Sequence, residues 1–160
     1  MRTIEQLRVK IFADGADLNS IRSLYTQPFV KGFTTNPTLM RKAGIKSYKD
    51  FALEVLKEVP DRPVSLEVFA DDLNDMLVQA KVIGSWGANV YVKIPVTNTR
   101  GEFTGPIVKE LSSSGVQLNI TAVFTPKQVK IIAENLSYST PAIVSVFAGR
   151  IADTGLDPIP

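Results

Sequence analysis

Apolar, β-branched runs alternate along this chain with segments whose apolar residues recur at helical spacing. The runs predict strands at 9–14, 32–36, 63–70, 89–96, 117–124 and 142–149. The periodic segments predict helices at 17–25, 47–58, 73–84, 105–114 and 126–136. Start and stop signals agree with that division. Asn36-Pro37 and Thr125-Pro126 each set a proline at a first helical position behind a capping residue. Ser47-Tyr-Lys-Asp50 resembles a capping box with Asp in place of Glu, and Gly115 suits a helix end. Strands that alternate with helices imply a parallel sheet.

The two faces of each strand then separate the parallel architectures. Side chains alternate between faces along a strand. In the fourth run, Val90, Val92, Ile94 and Val96 share one face, whereas Asn89, Tyr91 and Lys93 share the other. The remaining runs repeat this division. Ile11 and Ala13 oppose Phe12 and Asp14; Phe33 opposes Thr34 and Asn36; Val64, Leu66 and Val68 oppose Ser65, Glu67 and Phe69. Leu118, Ile120, Ala122 and Phe124 oppose Gln117, Asn119, Thr121 and Val123; Val144 and Val146 oppose Ser145 and Phe147. Every strand keeps its polar residues on one parity. A doubly wound sheet covers both faces with helices and would bury these groups at a few kcal/mol each unless paired. A (β/α)8 TIM barrel instead turns one face to the helices and the other to its lumen. The expected fold is therefore an α/β TIM barrel with a polar lumen, forming a single partial domain over 1–160. About six strands are present, too few to close eight. The chain stops in what reads as the loop after the sixth strand. A fragment, or closing strands supplied from elsewhere, is the expectation.

Composition narrows the chemistry. The chain has no cysteine and no histidine, which excludes disulfides, thiolate chemistry, Ser-His-Asp triads and the usual zinc sites. Its net charge of +2 is spread without a basic run, so no nucleic-acid footprint is present. No apolar run reaches a membrane span, and Met1-Arg-Thr-Ile-Glu-Gln has no signal-peptide character. The expectation is a soluble, cytoplasmic protein with neither nucleic-acid nor membrane partners. No P-loop or G-x-G-x-x-G run suggests a nucleotide.

The groups expected near the C-terminal strand ends on the lumen face are Asp14, Asn36, Glu67, Lys93, Asn119, Thr121 and Ser145, with Arg150 just beyond. Barrel active sites lie at that end. A lysine enclosed there loses hydration, which disfavours its charged form and makes it a nucleophile toward carbonyls. A carboxylate beside it can move protons. An arginine can grip a phosphate as a bidentate fork. Two separated carboxylates without histidine would hold magnesium only weakly, and no cofactor is expected. The set fits Schiff-base cleavage of a carbon–carbon bond in a sugar phosphate.

Four segments carry a family resemblance: Gly32-Phe-Thr-Thr-Asn-Pro-Thr38, Val92-Lys-Ile-Pro-Val96, Asn119-Ile-Thr-Ala-Val-Phe124 and Ser145-Val-Phe-Ala-Gly-Arg150. In order and spacing they resemble the signature segments of the transaldolases. The resemblance implies a class I aldolase barrel of the pentose phosphate pathway with Lys93 as the Schiff-base lysine. It implies Asp14 as the acid/base of carbon–carbon cleavage. Glu67, with Thr121 holding a water, would shuttle protons during imine formation and release. Asn36, Asn119 and Ser145 would bind dihydroxyacetone hydroxyls, Thr34 would support Asn36, Phe147 would line the site, and Arg150 would take the phosphate. A homo-oligomer is implied for the full-length protein. The sibling fructose-6-phosphate aldolases typically carry glutamine and tyrosine at the positions of Glu67 and Phe147, so both residues favour a transferase over a free aldolase.

Plainer roles stand beside these. Asp14 could cap the turn after its strand, Asn36 is an ordinary N-cap before Pro37, and Glu67 could pair with Lys93 as a structural ion pair. Thr121 and Ser145 could fill the barrel. Thr35, Trp86 and Tyr91 read as packing residues, and Arg100 and Lys109 as solvated surface. A non-catalytic truncated barrel is the alternative to the enzyme.

Overall fold

The computed structural model describes residues 8–159. Residues 1–6, which carry the reading against a leader peptide, lie outside the described residues. The elements run β1 (Ile11–Asp14), α1 (Leu18–Tyr25), β2 (Val30–Thr34), α2 (Pro37–Lys42), α3 (Tyr48–Glu58), β3 (Val64–Glu67), α4 (Leu73–Gly84), β4 (Val90–Pro95), α5 (Gly105–Ser113), β5 (Leu118–Val123), α6 (Pro126–Asn135), β6 (Ala142–Val146) and α7 (Ala148–Ala152). The strands follow one another in chain order, and β1–β2, β2–β3, β4–β5 and β5–β6 pair in parallel. Parallel neighbours joined by helices in strict succession define a (β/α) barrel. Among the described residues six strands are present, which makes the barrel a partial one. Among the described residues no helix is long and apolar enough to cross a membrane.

The chain divides into two compact units, one of Met1–Glu67 with Ser85–Val90 and one of Val68–Gly84 with Tyr91–Pro160. In the first unit, Val30, Phe33, Val64 and Leu66 of the strands are buried together with Ile21 of α1 and Phe51, Ala52 and Val55 of α3. Gly32 lies opposite Phe12 in the β1–β2 register. A Cβ at Gly32 would collide with the Phe12 ring, so the glycine makes room for that ring. In the second unit, Val92, Ile94, Leu118, Ile120 and Val123 are fully covered, as are Val108 and Leu111 of α5 and Ile132 of α6. Burial along β4 alternates as the sequence demands: Val90, Val92 and Ile94 are buried while Tyr91, Lys93 and Pro95 are half-buried.

The observed elements differ from the expected ones in several places. The second strand is Val30–Thr34 rather than 32–36, because Asn36 leaves the ladder to cap α2, accepting from Leu39 N at 2.9 Å. The six-residue α2 is too short to show a helical period, although its Asn-Pro start signal is legible. The third strand ends at Glu67 rather than at 70. The amides of Phe69 and Ala70 donate to Gln79 Oε1 of α4 instead of to a ladder. The sixth strand ends at Val146, and residues 148–152 form α7.

Asn89 also moves. Expected on the polar face of the fourth strand, it precedes β4 and ties the loop before β3. Its Nδ2 donates to the carbonyls of Val59 at 2.6 Å and Arg62 at 2.8 Å. Replacing Asn89 by Ala strands both carbonyls and should lower unfolding free energy by about 1–3 kcal/mol. Asn89→Asp should do no better, since a carboxylate cannot donate. Urea midpoints of the two variants check this, and a wild-type midpoint for Asn89→Asp would refute the loop-tie role.

Candidate active site

In the first unit the polar groups form two linked sets. The carboxylate of Asp14, at the end of β1, accepts from Thr34 Oγ1 at 2.9 Å and from Asn36 Nδ2 at 3.2 Å. Asp14 and Thr34 are register partners, which brings their side chains to one face. Asp14 therefore does not cap the turn that follows it. Asn36 fills the plainer role weighed for it, since its Oδ1 caps α2, and its Nδ2 also holds Asp14. Thr34 binds Asp14 rather than Asn36, so its support for Asn36 passes through the shared carboxylate.

The second set surrounds Glu67, which is buried at 7% exposure. Thr35 Oγ1 donates to Glu67 Oε2 and to Ser65 O, both at 3.1 Å. Thr35 is fully buried and thus holds the carboxylate rather than merely packing. Tyr48 at the start of α3 donates its hydroxyl to Glu67 O at 3.0 Å, and its ring meets Trp86 edge-on. Burial pushes the Tyr48 phenol far up, and the charge of Glu67 adds to the shift. Alternation could not reveal Tyr48, since it lies on a helix. Thr35 sits one residue off the polar parity, just past the end of β2.

In the second unit, Lys93 is half-buried rather than enclosed. It is the register partner of Asn119, and Pro95 is the partner of Thr121. Partners in a parallel ladder project to the same side, so Lys93 and Asn119 share a face. Asn119 is 2% exposed, and its Oδ1 accepts from Ser145 Oγ of β6 at 2.7 Å. Thr121 is 9% exposed, and its Oγ1 has no hydrogen-bond partner. Phe147, expected to line the site, stacks edge-on against Phe124 with centroids 5.7 Å apart. Arg150 lies on α7, exposed, with its guanidinium 3.5 Å from Asp153. Arg100 is exposed yet engaged, at 2.9 Å from Glu102 and within 4 Å of Asp71 and Asp72. Among the described residues no group of three or more His, Cys, Asp or Glu side chains could hold a metal ion.

The division of faces fails at the end of β5. Val123, expected beside Thr121, is fully buried, whereas Phe124 of the apolar set is 42% exposed. The cause is Ala122, whose φ of 57° is left-handed. From Ile120 to Val123 the strand carries one residue more than β6 does from Val144 to Val146, which makes a bulge. Beyond a bulge the faces exchange. No residue type announces this, since alanine is not the expected occupant of a left-handed position.

A family model described as Transaldolase/Fructose-6-phosphate aldolase matches residues 11–159. The chain is similar to a probable transaldolase of Dehalococcoides mccartyi, 38% identical over 149 residues, covering 93% of this chain and 65% of that protein. A probable transaldolase of Thermoplasma acidophilum is 39% identical over 151 residues, covering 93% and 64%. The chain thus spans just under two thirds of the length of these relatives. Among solved structures, a dihydrodipicolinate synthase matches with a TM-score of 0.52 over 88% of this chain and 71% of its own, at 9% identity, a likeness of fold alone.

The Tyr48 phenol makes alkaline stability a readout of the Glu67 surroundings. Its folded-state pKa lies above the unfolded value near about 10, so its contribution is complete below pH ~10 and is lost as pH rises beyond that. Tyr48→Phe should therefore flatten the fall of the urea midpoint between about pH 9.5 and 11. Tyr25 and Tyr91 are also raised and supply the slope that remains. An unchanged slope in the variant would refute the shift.

Proposed function

We infer that this chain, which belongs to the transaldolase/fructose-6-phosphate aldolase family, transfers dihydroxyacetone units between ketose and aldose phosphates through an imine on Lys93. The reaction proposed is sedoheptulose 7-phosphate with glyceraldehyde 3-phosphate giving erythrose 4-phosphate and fructose 6-phosphate. One observation carries most weight. Lys93 shares a face with Asn119, and Asn119 is already fixed by Ser145. An amine beside a pre-oriented amide–hydroxyl pair suits a small polyhydroxy ketone.

In this reading the Lys93 amine adds to the ketone carbon and gives a carbinolamine. Loss of water, with proton transfers through Glu67 and a water held by Thr121, gives the iminium. Asp14 takes the proton from the C4 hydroxyl, the C3–C4 bond breaks, and its electron pair moves into the iminium to give an enamine. The first aldehyde leaves, and the enamine attacks the second. Asn36, Asn119 and Ser145 bind the hydroxyls of the retained unit, Phe147 lines the pocket, and Arg150 meets the phosphate. The geometry within each unit supports these roles. Thr34 and Asn36 orient the Asp14 carboxylate, and Thr35 orients that of Glu67. In the cell the substrates proposed are sugar phosphates, and the protein is proposed to assemble as a homo-oligomer.

Borohydride reduction of the purified chain with fructose 6-phosphate tests the imine. A dihydroxyacetone-derived mass adduct on the peptide holding Lys93 is expected, and its absence would overturn the reading. Lys93→Met should lose the adduct and turnover while unfolding at the wild-type midpoint.

Phe147 distinguishes transfer from free cleavage. A phenylalanine cannot activate water toward the bound adduct, so wild type should release little dihydroxyacetone without an acceptor aldehyde. Phe147→Tyr should raise that release by roughly tenfold, in line with one positioned acid/base group. Equal release by both proteins would remove Phe147 as the determinant.

A further inference from the structure

We propose that Thr35 is a positioning residue that serves Glu67 both with and without its proton: the Thr35 hydroxyl donates to the ionised carboxylate, accepts from the protonated one, and swings its hydrogen to the Ser65 carbonyl when the proton arrives. The inference rests on the reading of Glu67 as the proton shuttle for the Lys93 imine. It adds the means by which a buried carboxyl gains and returns a proton. A hydroxyl carries one hydrogen and two lone pairs. Thr35 Oγ1 stands 3.1 Å from each of two acceptors, Glu67 Oε2 and Ser65 O. One hydrogen cannot fully serve both.

Nothing locks that hydrogen on one side. Ser65 O already accepts from the Thr35 amide at 3.2 Å, so its backbone bond is made without the hydroxyl. A carbonyl has a second lone pair, so it can still receive the hydroxyl as well. Thr35 and Ser65 have no exposed surface, and Glu67 has 7%. The three groups therefore answer mainly to one another and to the protein around them. Tyr48 donates to Glu67 O at 3.0 Å and pins the backbone from which the carboxyl extends. The β-branched Thr35 side chain is stiff about its first torsion, which holds Oγ1 between its two neighbours while the hydrogen turns.

A proton shuttle has to be stable in both of its states. With Glu67 ionised, the Thr35 O–H donates to Oε2 in a charge-assisted bond. Glu67 takes a proton at Oε2, from the amine and through the Thr121 water, as the carbinolamine forms. That O–H then donates to Thr35 Oγ1, and the Thr35 hydrogen turns to Ser65 O. Returning the proton to the departing hydroxyl reverses both bonds. The Thr35 hydrogen stays on Thr35 throughout, and no donor of the three groups is stranded in either state. A donor fixed on the carboxylate would favour the ionised form alone and oppose the arrival of the proton.

Two substitutions separate this role from packing. Thr35→Val keeps the shape and removes the hydroxyl, whereas Thr35→Ser keeps the hydroxyl. The rate of Lys93 adduct formation with fructose 6-phosphate at saturation should fall roughly ten- to hundredfold in Thr35→Val and stay within about threefold of wild type in Thr35→Ser, with half-saturation little changed in both. If Thr35→Val does not fold, Thr35→Ala, which also lacks the hydroxyl, takes its place.

A second readout is independent of turnover. As Glu67 takes a proton, followed by its own carboxyl 13C resonance, the Ser65 carbonyl 13C should move downfield in wild type and in Thr35→Ser and hold still in Thr35→Val. Tyr48, which faces Glu67 from α3, stays neutral over that range, since burial pushes its phenol far up. A wild-type rate in Thr35→Val, an equal loss in Thr35→Ser, or a Ser65 resonance that moves alike in wild type and Thr35→Val would each overturn the proposal. Absence of any adduct in wild type would instead overturn the imine reading, and the Ser65 resonance would still decide whether Thr35 swings.

Discussion

The two-residue period of a β-strand, applied where one face must be dry, is the constraint on which this molecule depends. Leu118, Ile120, Val92 and Ile94 fill the covered face without remaining accessible surface. Each residue between them is then committed to the other face, and there the chain places amine, amide and hydroxyl groups. At about 25 cal/mol per Å2 of apolar surface removed from water, the covered face holds the register. A slip of one residue would exchange every side chain between faces. The polar groups are therefore positioned by the burial of their neighbours.

Hydrogen bonding completes what burial begins. Asp14, Thr34 and Asn36 form a set in which one carboxylate takes two donors. Thr35 and Tyr48 do similar work around Glu67, one at the carboxylate and one at the backbone carbonyl. A buried carboxylate without such donors would be costly. The donors meet that cost and fix orientation in the same act.

Much of this was legible in the sequence because alternation is a physical property of strands. The burial of Val90, Val92 and Ile94 against Tyr91 and Lys93, and the meeting of Asn119 with Ser145, follow from parity. The illegible parts have other causes. Tyr48 reaches Glu67 from a helix, and Thr35 sits off the polar parity just past a strand end, so neither obeys the period of two. The short α2 and α7 have too few residues to show a period of their own. At Ala122 the backbone leaves the strand geometry on which parity rests. The expectation for Val123 and Phe124 inverts there for that reason alone.

Asn36 carries a consequence of a different kind. One atom of its amide group begins a helix, and the other holds the Asp14 carboxylate. Other residues that cap a helix by a side-chain oxygen could preserve α2, yet aspartate has no donor for Asp14, and serine and threonine carry theirs on the capping oxygen itself rather than on a second atom. The position thus couples two constraints that usually act separately, one on a helix terminus and one on the orientation of a carboxylate. No substitution at position 36 can change the surroundings of Asp14 without also acting on the start of α2.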